Sequence, residues 1–387
     1  MDSHRARADA KEAQQRLLKW LLEDACPLWS TRGVDRTFGG FHEMLIGAEP
    51  VSASRRARVQ PRQIAAFAES SRLGWSGDVA ALVAHGLVYF LKYYRRSDGL
   101  FRTLIAPDGS PLDDRALFYD QAFALLGFAE AHRVLRAPRG VDAPAEARAL
   151  RELIHRYFKR EGPGFESSAQ AAMPLSSNAH MHLLEACLAW GDADGAPEWR
   201  VLADEVCELA LARFIDSASG CIREHFAADW TPLPGLPGRV LEPGHHYEWA
   251  WLLLRWADGR RDDASKAAFR LIDIGEKFGV FNGVAVNAIV DDFSVHDACA
   301  RLWPQTERLK ASALAARLTG DPRYWTIASD AANALSRYLA TPVRGSWYDR
   351  LMPYGRFIEE PAPASSFYHI VGAISQLKAS LVDSGYA

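Results

Sequence analysis

The chain has 387 residues, 49% of them hydrophobic, with 45 basic and 48 acidic side chains interspersed to a formal net charge of −3. That mixture lacks the basic stripe with which nucleic-acid binders neutralise phosphates, so no nucleic-acid partner is expected. No run of about 18 apolar residues is available to span a bilayer, and Met1 to Arg5 lack the apolar core of an export signal, so a cytoplasmic protein without a membrane partner is expected.

Cys26, Cys187, Cys207, Cys221 and Cys299 are scattered and never spaced C-x-x-C, so they read as reduced thiols. No Ser/Gly tract, charge block or low-complexity run divides the chain, and residues 1–387 are expected to form one domain.

Helical periodicity begins at once. Leu18, Leu21, Leu22 and Ala25 share one face, as do Ile64, Phe67, Ala68 and Ser71. Continued along the chain, the pattern predicts twelve helices near 8–28, 58–74, 77–95, 117–136, 145–160, 177–190, 197–213, 243–258, 262–278, 302–317, 321–338 and 364–383. Connections after even-numbered helices are short: Gly74 to Ser76, Gly191 to Ala196, Asp258 to Arg261, Thr319 to Gly320. Those after odd-numbered helices are long and hold strand-like pieces at Phe38–Leu45, Leu100–Ile105 (before the turn Asp108-Gly109), Cys221–Phe226 and Ser346–Ile358. Short links favour antiparallel neighbours, so the chain reads as six hairpins whose even helices all run one way. Closed on itself, that series is an all-α (α/α)6 barrel; an open superhelix of helical pairs is its rival, and no strict repeat favours it.

Polar clusters fall in the first turns of the even helices. They are Gln60, Arg62 and Gln63; Tyr119, Asp120 and Gln121; Asn178, His180, His182 and Glu185; His245, His246 and Glu248; Arg301, Trp303 and Glu307; and Tyr368 with His369. One end of the inner ring should therefore hold a pocket of histidines, carboxylates, arginine and aromatic walls, which suits a sugar. Trp249, Trp251, Trp303 and Trp347 are candidate walls. His182 shares a face with Asn178, and His245 with Glu248; His180 and His246 should face elsewhere and be structural. Asp291, Asp292 and His296 read as a solvated charge group.

His182–Glu185 and His245–Glu248 are both H-x-x-E pairs, a spacing that can bind a metal from one helix face. No H-E-x-x-H or D-x-D set accompanies them, so no metal is expected. Glycoside hydrolases also use helical toroids, and Asp120, Glu185, Glu248, Asp292 or Glu307 could supply their two carboxylates. Here the histidines form the matched set, and imidazole can take and return a proton near neutral pH. A non-catalytic sugar-binding protein is a further alternative.

The stretches Gln60-Pro61-Arg62-Gln63, Tyr119-Asp120-Gln121-Ala122-Phe123, Asn178 to Ala186 (N-x-x-M-H), Pro243-Gly244-His245-His246-Tyr247-Glu248-Trp249 and Tyr368-His369 resemble the N-acylglucosamine 2-epimerase superfamily. The likeness runs in order from about residue 15 to 383. It implies an (α/α)6 barrel that isomerises or epimerises a monosaccharide without metal or redox cofactor, as a monomer or homodimer. Glu248-Trp249 and the run Ser365 to His369 are more like the mannose isomerase branch than the 2-epimerases; Ser365 stands where a sulfosugar isomerase carries glutamine. The resemblance implies that His245 aids ring opening with Glu248 orienting it, and that His369 takes the C2 proton. Arg62 or Arg58, with His182, would stabilise the cis-enediolate, with Tyr119, Asn178, Trp303 and Glu307 also binding substrate. Return of the proton to C1 gives the ketose; its return to the opposite face of C2, from His245, gives the epimer.

Overall fold

The computed structural model describes residues 3–135, 141–170 and 174–382. Among them run twelve long helices: α1 (Ser3–Trp20), α2 (Val59–Leu73), α3 (Val79–Tyr94), α4 (Phe118–Val134), α5 (Ala143–Phe158), α6 (Ser177–Ala193), α7 (Pro197–Leu209), α8 (Pro243–Ala257), α9 (Asp262–Phe278), α10 (Leu302–Thr319), α11 (Pro322–Leu339) and α12 (Ser365–Val382). The expected final residues of helices 117–136 and 364–383 lie outside the described residues. α1 continues through a widened π-turn, Leu21–Ala25, into Cys26–Thr31. Pro27 in that last segment has no N–H to donate, and the wider turn accommodates the missing bond.

The even helices pack in a closed ring, α2 on α4, α4 on α6, and so on to α12, which returns to α2. The odd helices pack outside them, giving the (α/α)6 barrel. Burial explains the sorting. α5 buries only Ala143, Ala147, Leu150, Ile154 and Phe158, a single stripe, whereas α10 is buried on all sides from Pro304 to Ala316. α2 and α10 end on left-handed glycines, Gly74 and Gly320, with φ of 111° and 71°, which turn the chain sharply into the next outer helix.

The long connections form a second ring that the helix pattern does not reveal. The short extended piece that enters each even helix pairs antiparallel with the following long loop. Arg55–Arg56 pairs with Leu104–Ile105, Leu117 with Ser168, Leu175–Ser176 with His225–Phe226, Val240–Leu241 with Ile289–Val290, and Ala300–Arg301 with Arg350–Leu351. Ala362–Pro363 pairs with Met44–Leu45 and closes the circle. All even-helix N-termini are thereby gathered at one end. At the other end, alternating ion pairs Glu69–Arg72–Glu130–Arg133–Asp192–Arg255 join α2, α4, α6 and α8. No helix among the described residues is long and apolar enough to cross a membrane.

Candidate active site

The polar residues at the even-helix starts divide into two jobs. Gln60 Oε1 accepts from the Phe41 N–H at 2.9 Å while its Nε2 donates to the Phe41 carbonyl at 3.0 Å. Gln121 clamps Phe101 in the same way at 2.9 and 2.9 Å, and Gln305 clamps Ala285 at 2.8 and 2.8 Å. His180 is a variant of the same device: Nε2 accepts from Phe165 N–H at 3.0 Å and Nδ1 donates to the Ser176 carbonyl at 2.8 Å. With both nitrogens used, and with burial pushing its pKa down to about 4, His180 is a neutral structural residue. His246, held at about 4 by burial and bonded to the Glu242 carbonyl at 3.1 Å, also packs in the wall. Gln60 and Gln121 thus belong to the loop anchors rather than to a pocket lining.

Three other histidines share a different geometry. On α6, His182 Nδ1 donates to Glu185 Oε2 at 3.2 Å; on α8, His245 Nδ1 donates to Glu224 Oε2 at 2.8 Å; on α12, His369 Nδ1 meets Glu307 Oε1 at 2.8 Å. Each is a buried imidazole whose Nδ1 is fixed by a carboxylate and whose Nε2 has no hydrogen-bond partner among the described residues. The three connect through contacts. Trp303, half-buried, lies 5.1 Å from His245 and 5.9 Å from His369 between ring centroids, and Tyr119 and Phe123 lie 4.9 and 4.3 Å from His182. Gly244 makes room for Trp303: a Cβ there would come 2.4 Å from the indole.

Their charge states differ. Burial holds the His369 and His182 pKa values down at about 4, against the pull of Glu307 and Glu185. Burial also opposes charge on His245, but Glu224 and Glu242 outweigh it and hold this ring well above its ordinary value. His245 is therefore an imidazolium beside neutral His369, the separation by which one site keeps an acid and a base together.

Glu248 does not orient His245, contrary to the expectation from their i, i+3 spacing. Its carboxylate lies deeper, with ligand-capable atoms within 4.8 Å of those of His182 and Glu185 on one side and of Glu307 and His369 on the other. Burial, with Glu307 and Glu185 nearby, pushes its pKa well above the carboxylate range, and its Oε1 has no hydrogen-bond partner. Glu224 orients His245 instead, with Glu242 at 3.7 Å. These groups, and Glu224–Glu242–His245, are the clusters that could hold a metal. Lys310 Nζ, however, already occupies the second oxygen of Glu307 at 2.7 Å. Tyr368 donates to the other oxygen of Glu185. Burial works against that carboxylate, but His182, Lys310 and Tyr368 hold it at about 2.

Of the two arginines, Arg62 lies in the wall: its guanidinium donates to Tyr119 Oη at 2.7 Å and stands 4.1 Å over Phe123. Arg58 sits nearer the rim, 4.9 Å over Tyr119, with Nε 3.1 Å from Asp120. Asn178 presents a solvent-shielded Oδ1 without a partner. Three candidate aromatic walls lie elsewhere: Trp249 and Trp251 are on α8, which is buried on nearly every side, and Trp347 is buried in the loop before α12. Trp249 packs on Phe214, Trp347 stacks on Trp29 at 4.5 Å, and Trp251 lies beneath Lys310 with its N–H donating to Gln376. Asp291 and Asp292 pair with Arg239 away from the histidines, and His296 is exposed.

The sequence profile of the N-acylglucosamine 2-epimerase (GlcNAc 2-epimerase) family matches residues 39–373. The chain belongs to this family. It is 47% identical over 371 residues to the mannose-6-phosphate isomerase of Rhizobium meliloti (strain 1021), covering 94% of this chain and 96% of that protein. It is 28% identical over 298 residues to the D-mannose isomerase of Thermobifida fusca, covering 71% and 72%. Among solved structures, the cellobiose 2-epimerase of Spirochaeta thermophila DSM 6192 superposes with a TM-score of 0.86 at 19% identity, over 96% of this chain and 97% of that one. This GlcNAc 2-epimerase family member therefore shares the barrel with sugar epimerases and isomerases. Glu224 and Lys310 are the site residues that the sequence did not single out. A lysine inside the small-residue run Lys310 to Ala316 was the available signal for one; Glu224, alone in a loop, offered none.

Proposed function

We propose that this protein is an aldose–ketose isomerase interconverting a free hexose such as D-mannose with D-fructose. The observation that carries the reading is the placing of His245 and His369 against the same Trp303 ring, each with Nδ1 fixed by a carboxylate, with the surroundings favouring charge on the first imidazole and opposing it on the second. In this mechanism His245 gives a proton to the ring oxygen as the C1–O5 bond breaks and the pyranose opens, and the O1 proton released as the aldehyde forms restores the His245 charge. His369 Nε2 then takes the C2 proton, the C–H electrons form the C1–C2 double bond, and the charge on O1 is stabilised by Arg62, while the bare Nε2 of His182 accepts from a sugar hydroxyl. His369 returns the proton to C1 while the O2 proton passes to O1, so that the C2 carbonyl and the C1 hydroxyl form together. Glu307 holds His369, Glu224 holds His245, and Trp303, Tyr119 and Asn178 line the sugar.

A 2-epimerase would need His245 to act as base on the opposite face in one direction. The carboxylates around Nδ1 favour the charged ring, which suits His245 to an acid's part and leaves His369 as the base moving one proton between neighbouring carbons. The isomerase names of the Rhizobium meliloti and Thermobifida fusca relatives agree with this reading. Three of the arginines at the helix starts are already paired, Arg56 with Glu43, Arg58 with Asp120 and Arg301 with Asp349, which supports an uncharged sugar over a 6-phosphate, with Arg62 kept for the enediolate.

Incubation with mannose, and separately with mannose 6-phosphate, in heavy water tests the proposal by NMR. Fructose deuterated at C1, formed faster from the free sugar, is the expected result. Glucose deuterated at C2 as first product would make the protein an epimerase. A preference for the phosphate would overturn the substrate assignment, and turnover of neither would remove the reaction altogether.

A further inference from the structure

A buried ammonium stands behind His369. Lys310 follows Glu307 by one turn of α10, is 2% exposed, and places Nζ 2.7 Å from Glu307 Oε2 while the other oxygen meets His369 Nδ1 at 2.8 Å. Its charge also lies 3.8 Å over the Trp251 ring. A desolvated ammonium is costly unless it is paired, so the pair itself is unsurprising. Its placement on the far oxygen of the carboxylate that fixes a free imidazole is what gives it a consequence.

We infer that Lys310 is a positioning residue which, through Glu307, keeps the Nε2 lone pair of His369 available to the substrate. The inference rests on the proton-transfer reading of the site proposed above. With Lys310 present, Glu307 stays ionised and accepts from Nδ1–H, so Nε2 is the bare nitrogen. Without it, Glu307 is a buried carboxylate with Glu248 and Glu185 close by, and the Glu307–His369 pair takes up a proton. The location of that proton does not matter. Either the ring is doubly protonated, or a protonated Glu307 donates to Nδ1 and the neutral ring carries its hydrogen on Nε2. In both states the base is lost. The other groups facing the pair are Arg62 on α2, His182 and Glu185 on α6, Glu248 on α8 and Tyr368 on α12. Among these, Arg62 is the only other fixed cation, and it stands over Phe123 with its N–H on Tyr119.

The test compares Lys310→Met, close in volume and uncharged, with Lys310→Arg. Lys310→Met is expected to lower kcat by about tenfold on the wild-type acid limb, below about pH 4, the factor that accompanies one pKa unit, with KM little changed and activity recovering as pH rises. The acid limb of its pH–rate profile should move upward, while Lys310→Arg keeps the wild-type limb. NMR titration of the His369 imidazole in sugar-free protein should show the same upward displacement in Lys310→Met. This readout needs no turnover, so an inactive wild type would remove the proposed reaction without touching the inference. An active wild type with identical His369 titrations in both proteins would overturn the inference alone. If Lys310→Met fails to fold, Glu307→Gln and Glu307→Gln/Lys310→Met decide the matter, because the double variant removes both charges. Equal rates and profiles are expected, and a further loss in the double variant would show that Lys310 does not act through Glu307.

Discussion

His245 and His369 share the Trp303 ring as a neighbour, at 5.1 and 5.9 Å, yet their surroundings drive them to opposite protonation states. Carboxylates on one ring and dominant burial of the other produce this difference from two chemically identical side chains.

The first prediction is a broad pH window. His369 must be neutral, so activity is lost as pH falls through about 4. His245 must be charged, and because its pKa is raised, activity persists through neutrality and falls only as pH rises through that raised value. Measuring kcat/KM for mannose from about pH 3.5 to 10 checks this, since the free-enzyme acid and base set its limbs. A narrow bell centred on the ordinary imidazole value would contradict it.

Glu224→Gln should convert His245 from acid to neutral ring. Burial then prevails over the remaining Glu242, the basic limb moves down, and kcat at neutral pH falls by roughly a hundredfold, the lower range for a lost general acid. An unchanged basic limb would mean that Glu224 has no hold on the charge of His245.

Gly244→Ala probes the wall. Its new Cβ would stand 2.4 Å from the Trp303 Cη2, so the indole must shift from between the two histidines' reach. KM should rise roughly tenfold, equivalent to about 1.4 kcal/mol of binding, with a smaller change in kcat. Kinetics together with Trp303 fluorescence would show whether the ring has moved.

Exhaustive chelation should leave the rate undiminished. Lys310 already compensates Glu307, and Glu248 is held towards its neutral form, so the central carboxylates are arranged for protons. Loss of activity on dialysis against EDTA, restored by a divalent cation, would reverse this reading.

The barrel was legible because outer and inner helices bury different fractions of their surface. Leu150, Ile154 and Phe158 announce a single stripe on α5, and the long and short connections alternate as antiparallel hairpins require. His182, His245 and His369 were legible from their depth in successive even helices. Their partners were less so. Spacing placed Glu248 on the face of His245 but could not show that its side chain reaches down the axis towards His182 and His369. Glu224 comes from a loop with no periodicity to read. Glu307 and Lys310, three residues apart, resemble an ordinary surface ion pair until the helix is known to be buried on all sides. Gln60 and Gln121 appeared among pocket-facing polar groups, and Gln305, which does the same job, was not singled out, because sequence shows depth along a helix, not the direction of the amide.

Those glutamines carry an implication for redesign. Each fastens its helix to a single peptide unit near the base of the preceding loop, Phe41, Phe101 or Ala285. Beyond that fastening point, lengthening, shortening or exchanging one of these three loops is expected to leave the imidazoles in place. Grafts on these three loops that retain the fastened peptide should leave the histidine end intact, whereas the loop that carries Glu224 cannot be exchanged without releasing His245.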